Sequence, residues 1–368
     1  MEKGNKIMTS RERVIETFKH GNPDRVPIDY HANPGIDYRL KKYFGLDKND
    51  GEGLRKALGV DFKGVSPVYK GPVLHPPIKD RRVDPQWGWV TRYVEHATGS
   101  YWDYCDFPLQ NADLDQVEKW PMPSVEDYDF SHIKEFCKKN RDFALYVGNA
   151  GVGDCVNTVS FWTGYTEALI GFATEDPAIL RLIDRRHEIQ YELVKRTLEE
   201  AEGMITFLWL GEDLGAQDRP LYGIDMFRKH IRPRLQRFVD LAKEFGVYTM
   251  IHSCGSSSWA FPDFIEMEID AVDTLQPEAL NMSPEYLVRN FGEQLSFHGC
   301  ISTAGPVATG TPEEVIADCT RILNVMMKTR GYFFSPTHSL QDNSPVENVI
   351  AMYQTAHEKG RYDREEGE

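Results

Sequence analysis

Short apolar runs alternate with longer amphipathic stretches over most of the chain. Each run ends in polar residues, and apolar positions then recur at helical spacing. The strand-like runs occupy residues 143–150, 205–213, 247–254, 271–276, 295–300 and 331–338. Strands that alternate with helices favour a parallel sheet, because each helix can carry the chain back to the start of the next strand.

Several of the intervening helices have sequence signals at their ends. Residues 311–314 read Thr-Pro-Glu-Glu, a capping box with proline at the first helical position. Residues 283–285 and 176–177 open two more helices in a similar way. Another helix is predicted from Ile224 to Phe245, and Pro233 should kink or split it.

The number of strands predicts a closed barrel. RVPIDYH (25–31) is predicted as the opening strand and a further strand is expected between residues 61 and 95, which gives eight. Eight strands fit an α/β fold of the (β/α)8 TIM-barrel type better than an open sheet, which would require a glycine-rich phosphate turn after the first strand. We predict one barrel domain over residues 1–368, with residues 73–123 as a β-hairpin excursion over one end.

Composition excludes several classes of function. A net charge of −15 and a pI near 5.3 are unfavourable for binding nucleic acid or an anionic membrane surface. Neither a signal-peptide pattern nor an apolar run of about 18 residues is present, so a cytoplasmic location is expected. The 6 cysteines are too sparse for a disulfide framework in a chain of 368 residues, so an unusual cysteine here is expected to be a metal ligand or a nucleophile.

Candidate ligands stand at the ends of the predicted strands, where the active sites of such barrels lie. His252 and Cys254 are two positions apart and should point to the same side of their strand. Cys300, His338 and the pair Glu212-Asp213 end three other runs. Imidazole, thiolate and carboxylate ligands favour Zn²⁺ over Mg²⁺ or Ca²⁺. The alternative interpretation is that an isolated histidine or cysteine is structural, and that Glu212 or Asp213 caps the following segment or orients a histidine.

Three ring-bearing side chains are candidates for substrate contact. Trp209 lies in the run that ends at Glu212, Trp162 follows the run that ends near Ala150, and His31 ends the first predicted strand. Rings at the mouth of a barrel can stack on a planar ligand. Most such rings belong to the core, and a structural role for His31 is equally compatible with the sequence.

Three blocks of the chain resemble the uroporphyrinogen decarboxylase superfamily. They are TSRERVIETFKHGNPDRVPIDY, the run from WLGEDLGAQ to MIHSCGS, and the close from GTPEEVIADC to SPTHSLQDNSPVENVIAMYQTA. The resemblance implies a (β/α)8 barrel. Decarboxylases of the superfamily carry an arginine-rich RQAGRY-like segment after the first strand, where this chain has HANPGIDYRLKKYFG.

The methyltransferase branch of the superfamily resembles this chain in its H-x-C element. That resemblance implies zinc bound by His252 and Cys254. Where coenzyme M methyltransferases of the branch have a second cysteine, this chain has His338, so Cys300 or His338 is expected as a substitute ligand. GEDLGAQ together with HSCG is similar to enzymes that demethylate methoxylated aromatics or other small donors and pass the methyl group to a separate corrinoid protein.

The resemblance therefore implies a zinc-dependent methyltransferase with a small methylated substrate and a cognate corrinoid protein as partners. Glu212, Asp213 and His338 are the candidates to neutralise or protonate the leaving oxygen. Three alternatives are a uroporphyrinogen-type decarboxylase, a methylcorrinoid:thiol methyltransferase and a non-catalytic barrel that carries a small molecule.

Overall fold

The computed structural model describes residues 8–96 and 99–362. Residues 1–7, 97–98 and 363–368 are not described, so the predictions that concern them, including that for part of the N-terminal segment, lie outside the described residues. No helix among the described residues combines the length and the apolar composition that crossing a bilayer requires.

A seven-stranded parallel sheet forms the centre of the fold, in the order β1-β7-β8-β9-β10-β11-β12. Within residues 8–96 and 99–362 the strands are β1 (Phe62–Gly64), β2 (Val68–Tyr69), β3 (Arg82–Val83), β4 (Val90–His96), β5 (Gly99–Tyr104), β6 (Tyr128–Asp129), β7 (Ala144–Gly148), β8 (Phe207–Gly211), β9 (Tyr248–His252), β10 (Ala271–Leu275), β11 (Ser296–Ile301) and β12 (Tyr332–Pro336). The six runs predicted from residue 143 onward are therefore confirmed as β7 to β12.

Residues 25–31, which were predicted as the opening strand, do not form a regular strand. It forms only isolated bridges, of which the parallel bridge between Ile28 and Phe334 joins it to β12. On its other side, Asp61 N donates to Ile28 O at 2.8 Å, next to β1. Pro27 has no N–H to give to a ladder, which limits regular pairing here. The segment nevertheless lies between the two edge strands of the sheet.

Fifteen α-helices connect the strands and cover the sheet in the part of the chain that the structure describes. They are α1 (Ser10–Phe18), α2 (Pro34–Tyr43), α3 (Gly51–Leu58), α4 (Leu114–Lys119), α5 (Ile133–Lys139), α6 (Ser160–Thr163), α7 (Tyr165–Ala173), α8 (Pro177–Glu200), α9 (Ile224–Met226), α10 (Arg232–Glu244), α11 (Phe261–Glu266), α12 (Pro284–Phe291), α13 (Pro306–Thr309), α14 (Pro312–Met326) and α15 (Val346–Lys359). Repeated strand–helix alternation from β7 onward places successive parallel strands side by side.

The helix signals read from the sequence are confirmed at their predicted positions. Thr311 forms the capping box of α14, and the side chains of Asp176 and Ser283 cap α8 and α12. The helix predicted from Ile224 to Phe245 is split into α9 and α10 by a π-helical segment that ends just before Pro233. Proline cannot donate the backbone hydrogen bond that an uninterrupted helix would need.

Strands β3, β4 and β5 form an antiparallel sheet within the segment predicted as a hairpin excursion. Tryptophans attach it to the rest of the molecule. The indole N–H of Trp162, in α6, donates to Trp87 O at 2.7 Å, and the rings of Trp89 and Trp162 lie 5.3 Å apart. The hairpin thus packs on the helix that follows β7.

Aromatic side chains fill the space inside the parallel sheet. Phe62 packs edge-on against Phe207 and Phe333, with ring centroids 5.8 and 5.9 Å apart. The imidazole of His298 packs on the same Phe62 ring, 5.8 Å away. An apolar layer therefore lies directly beneath a buried polar group.

A buried carboxylate ties the N-terminal segment to β1. Asp61 is 1% exposed and accepts hydrogen bonds from Arg13 Nη1 at 2.7 Å, Arg25 Nη1 at 2.7 Å, Ser10 Oγ at 2.6 Å and Ile28 N at 2.8 Å. Four donors around one carboxylate satisfy the charge that burial would otherwise leave without solvation.

Replacing Asp61 by Asn is expected to destabilise the fold by about 3 kcal/mol, because the part-buried Arg25 loses its carboxylate partner and the buried Arg13 retains only Asp24. Chemical denaturation followed by circular dichroism measures the change. The matched control is Asp115→Asn, which breaks an exposed pair with Lys119 and should leave the midpoint nearly unchanged. Equal effects of the two substitutions would contradict this prediction.

Candidate metal and substrate site

Three side chains stand at the same level on adjacent strands at the centre of the site. Asp273 of β10 is in register with His252 of β9 on one side and His298 of β11 on the other. Residues in register on parallel strands point to the same side of the sheet. Asp273 Oδ2 is 2.8 Å from His252 Nδ1, and Oδ1 is 2.6 Å from His298 Nδ1. One carboxylate therefore orients two imidazoles.

A β-bulge after Asp273 adds a hydroxyl to this group. Thr274 has a φ of 64°, which is unusual for a β-branched residue, and the β10–β11 register shifts at this point. Its Oγ1 lies 2.6 Å from His252 Nδ1 and donates to Asp273 Oδ2 at 3.1 Å. The strained backbone turns the Thr274 side chain toward the imidazole of His252, whereas a regular strand would direct it elsewhere.

The thiol of Cys254 lies beside the outer nitrogen of His252. Sγ and Nε2 are 3.4 Å apart, so the structure brings these two predicted ligands together. His338, two residues after β12, joins them: one ligand atom from each of the three residues lies within 4.8 Å of the others. His252, Cys254 and His338 are called the thiol cluster below.

The loop after β8 buttresses the thiol cluster. Asp213 Oδ1 accepts from Cys254 N at 3.0 Å and lies 3.7 Å from His252 Nε2. Gly255 makes this close approach possible: its φ is 69°, and a Cβ there would lie 2.2 Å from Gly215 O. The carboxylate of Asp213 is thus within reach of the cluster, as its position after β8 predicted.

Electrostatics link the protons of the cluster to one another. Burial opposes charge on His252, but hydrogen bonds to Asp273 and Cys254 outweigh it and raise the imidazole pKa well above its usual value. Burial raises the pKa of the Cys254 thiol, although His252 acts in the opposite direction. Burial and the neighbouring His252 lower the pKa of His338.

Glu212 faces away from the thiol cluster. Its Oε2 accepts from Cys155 N at 2.6 Å, and the hydroxyl of Tyr222 donates to Oε1 at 3.5 Å. Burial and the nearby carboxylate of Asp154 raise its pKa well above the usual value. The Glu212 side chain therefore holds the loop after β7 against β8, and its contact with a predicted metal ligand is made by the backbone, where Glu212 N donates to His252 O at 3.0 Å.

A cavity of about 140 Å³, open to solvent, lies next to the thiol cluster. The residues that line it are His31, Ala150, Trp209, His252, Asp273, Thr274, Pro336, Thr337, His338 and Ser339. Trp209 and His31 were predicted to contact substrate, and both face this space with ring centroids 5.1 Å apart. The volume is below the range of about 300–1,000 Å³ for sites that enclose a drug-sized ligand, so the cavity suits a small donor group.

Two other residues singled out in the sequence lie elsewhere. Cys300 is fully buried, and the charged groups that act on its thiol, Arg321 and Glu285, are on α14 and α12. Gly299 and Cys300 have φ of 119° and 65°, so the strand alternation that would keep Cys300 on the side of His298 is broken. Trp162 is fully buried under the hairpin and is not among the residues lining the described cavity.

Asp273, His298 and Asp29 belong to the site but were not predicted from the sequence. His298 is fully buried and its Nε2 lies 3.4 Å from Asp29 Oδ2, which is also 3.0 Å from His31 Nε2. A charged residue inside an apolar strand was the available signal, since AVDTL and LSFHG would otherwise be continuous core strands.

The thiol cluster fits Zn²⁺ by its donor set and spacing. With Zn–N near 2.0–2.1 Å, Zn–S near 2.3 Å and tetrahedral angles, two such ligands stand about 3.5 Å apart. The separation between His252 Nε2 and Cys254 Sγ is 3.4 Å. The hydrogen bond from His252 Nδ1 to Asp273 also matches the usual carboxylate–histidine–zinc arrangement.

Comparison with known proteins gives a family match over part of the chain and matches to solved structures. Residues 221–359 match the family described as uroporphyrinogen decarboxylase (URO-D). No curated protein sequence matches the chain. A methyltransferase from Methanosarcina mazei superposes with a TM-score of 0.64 at 14% identity, covering 95% of this chain and 99% of that chain, and so shares the fold.

Two further solved structures match less well. Xylanase 10B from Thermotoga maritima has a TM-score of 0.39 at 12% identity, covering 64% of this chain and 82% of that one. D-psicose 3-epimerase, solved in the presence of D-fructose, has a TM-score of 0.38 at 13% identity, covering 64% of this chain and 83% of that one.

Stability of the metal-free protein is expected to fall at high pH because of His298. Burial opposes its charge, but Asp273 raises its pKa from 6.5 to about 9. This stabilisation of the folded state is complete below the unfolded-state pKa of 6.5. It is lost, by about 3 kcal/mol, as pH rises through the folded-state pKa of about 9. Denaturation of chelator-treated protein at a series of pH values measures this loss. His298→Gln should be less stable at low pH and should show a smaller decrease, since the raised pKa of His252 still contributes to it; an unchanged decrease would contradict the assignment.

Proposed function

We propose that this chain is a member of the uroporphyrinogen decarboxylase superfamily, whose model matches residues 221–359, and that it is a zinc-dependent methyltransferase that moves a methyl group between a small methylated donor and the cobalt of a corrinoid protein. The observation that carries the proposal is the thiol cluster. A thiol and two imidazoles meet beside the cavity, and each follows or ends a parallel strand. We also infer that residues 26–30 act as the eighth strand and close the barrel, which would make this rim its open mouth.

His252, Cys254 and His338 would hold the zinc, which supplies a Lewis acid for the heteroatom of the methyl donor. Asp273 keeps the Nδ1 proton of His252 in a hydrogen bond, so that Nε2 is available as the ligand atom. Asp213, which holds the backbone of Cys254, also places negative charge 3.7 Å from His252 Nε2. It would complete the ligand set or, in its protonated form, donate a proton to the leaving oxygen.

The cavity supports a small donor over a porphyrinogen. None of the described residues that line it is lysine or arginine. A porphyrinogen carries several carboxylates, and binding them without cationic partners would leave their charge uncompensated. Trp209 and His31 instead offer ring surfaces, which suit a methoxylated aromatic ring. The decarboxylase alternative is therefore less well supported.

The acceptor side of the reaction is inferred from the resemblance in sequence. A corrinoid is far too large for the cavity, so it would approach on its own protein from the open side. A methylcorrinoid:thiol methyltransferase remains the second candidate, because a thiolate acceptor could also bind zinc beside Cys254. The presence of His338 at the third position, in place of a second cysteine, favours the demethylating role.

Purified protein is expected to hold zinc at the thiol cluster, and His252→Ala and Cys254→Ala should each lower the zinc content by one equivalent per chain and abolish methyl transfer. The reason is that either change removes one of three ligands. Metal analysis measures the zinc. Transfer is measured by the change in the visible spectrum of a reduced corrinoid protein that is incubated with methoxylated aromatics, methylamines or thiols.

Matched controls are His132→Ala and Cys105→Ala, which lie outside the thiol cluster and should keep both zinc and activity. A zinc content equal to that of the wild type in both cluster variants would contradict the metal site. Decarboxylation of a porphyrinogen by the wild-type protein would instead support the alternative enzyme, and an absence of any transfer with zinc bound would favour a non-catalytic carrier.

Asp273→Asn is expected to weaken zinc binding by about 10- to 100-fold, because an amide cannot hold two imidazoles in their present orientation through two anionic oxygens. Competition with a chromogenic chelator measures the affinity. Asp270→Asn is the matched control: it lies one residue before β10 and bonds Thr249. An affinity unchanged in Asp273→Asn would show that orientation by this carboxylate is dispensable.

A further inference from the structure

A second group of ligand-type side chains lies on the other side of Asp273. Asp29, His31 and His298 each offer one ligand atom, and these atoms lie within 4.8 Å of one another. They are called the Asp29 cluster below. Asp29 Oδ2 is 3.0 Å from His31 Nε2 and 3.4 Å from His298 Nε2. None of these residues belongs to the thiol cluster.

The spacing is that of ligands around a single ion. Nitrogen and oxygen ligands at 2.0–2.2 Å from a metal in tetrahedral geometry stand about 3.3 Å apart. The two measured separations lie on either side of that value. Both involve the same oxygen of Asp29, whose other oxygen accepts from Tyr30 N at 2.7 Å. The carboxylate is therefore held with Oδ2 toward the two imidazoles.

His298 is oriented in the way that metal-bound histidines usually are. Its Nδ1 bonds the carboxylate of Asp273 at 2.6 Å, which directs Nε2 toward Asp29. That Nε2 is fully buried, and its polar contact is a long ion pair with Asp29 Oδ2 at 3.4 Å that does not meet hydrogen-bond geometry. Buried polar atoms usually have well-formed hydrogen bonds, so this long contact leaves the nitrogen available to an ion between the two side chains.

The Asp29 cluster also has access from the cavity. His31 is one of the residues that line it, together with His252 and His338 of the thiol cluster. A site with three protein ligands and an entry for a fourth has the form of a catalytic metal site and not of a closed structural one. Two imidazoles with one carboxylate and no thiol suit divalent iron or zinc.

We propose that Asp29, His31 and His298 bind a second divalent transition-metal ion, which shares the cavity with the thiol cluster and is linked to it through Asp273. The two clusters differ in chemistry, since only the first contains sulfur. This second site does not depend on the methyltransferase proposal, because its ligands, spacing and buried nitrogen are independent of the reaction.

Cobalt(II) alone is the probe that separates the two sites. Full-length protein is first freed of metal with a chelator. It is then titrated with Co²⁺ at a pH near the raised pKa of His298, about 9, because the proton that competes with the metal is more easily displaced there. The wild type should bind two equivalents. One should show thiolate-to-cobalt charge-transfer absorption from Cys254, and the other only the weaker ligand-field bands of nitrogen and oxygen ligands.

Each variant should then remove one equivalent and leave the other. His31→Ala should lose the equivalent without charge transfer and retain the charge-transfer band, whereas Cys254→Ser should do the reverse. His31 is partly exposed, so its replacement should not unfold the protein, and His132→Ala should keep both equivalents. Thermal denaturation of each variant checks the fold.

Two results would overturn the second site. One is saturation of the wild type at a single equivalent with charge transfer, which would leave His298 as an imidazolium between two carboxylates. The other is a second equivalent that persists unchanged in His31→Ala, which would place that ion elsewhere. Either result leaves the proposed zinc site of the thiol cluster unaffected. Absence of the charge-transfer band in the wild type would count against the thiol cluster alone.

Discussion

The carboxylate of Asp273 is the group on which the arrangement of the site depends. It lies in the middle of three adjacent strands and is almost fully buried, with an imidazole in register on each side. Burial raises the free energy of such a charge unless strong partners surround it. Hydrogen bonds to His252 and His298 lower the pKa of Asp273 well below its usual value, so it remains an anion in the interior.

Fixing one carboxylate fixes both histidines, because each imidazole has only one nitrogen left once Nδ1 is bonded. In His252 that nitrogen faces the thiol cluster, and in His298 it faces Asp29. The bulge at Thr274 adds a hydroxyl to the same group at the cost of a strained backbone. Rigid, mutually oriented ligands lower the reorganisation needed when an ion or substrate binds.

The surrounding fold explains how this polar group is tolerated. Aromatic rings from Phe62, Phe207 and Phe333 pack below His298 and isolate it from the far end of the sheet. The opposite end is open, and the cavity lies there. The low local dielectric on the apolar side of His298 strengthens the electrostatic interactions of the site. The open side leaves a route for small molecules.

Much of the fold could be read from the sequence, because strand and helix periodicity and helix caps are local properties. Apolar runs identified β7 to β12, and Asp176, Ser283 and Thr311 marked helix starts. The alternation of side chains along a strand was sufficient to place His252 and Cys254 on one side, with Sγ and Nε2 now 3.4 Å apart. Both inferences needed only neighbouring residues.

Only the tertiary structure decided which distant residues meet. Asp29, Asp273 and His298 come from segments separated by up to 269 positions, and their contact depends on sheet order and register. Cys300 shows the limit of local reasoning, since two successive positive φ angles turn its thiol away from the side that alternation predicts. Periodicity specifies which face a residue occupies on a regular strand, whereas strand register and backbone irregularities determine what that face contacts.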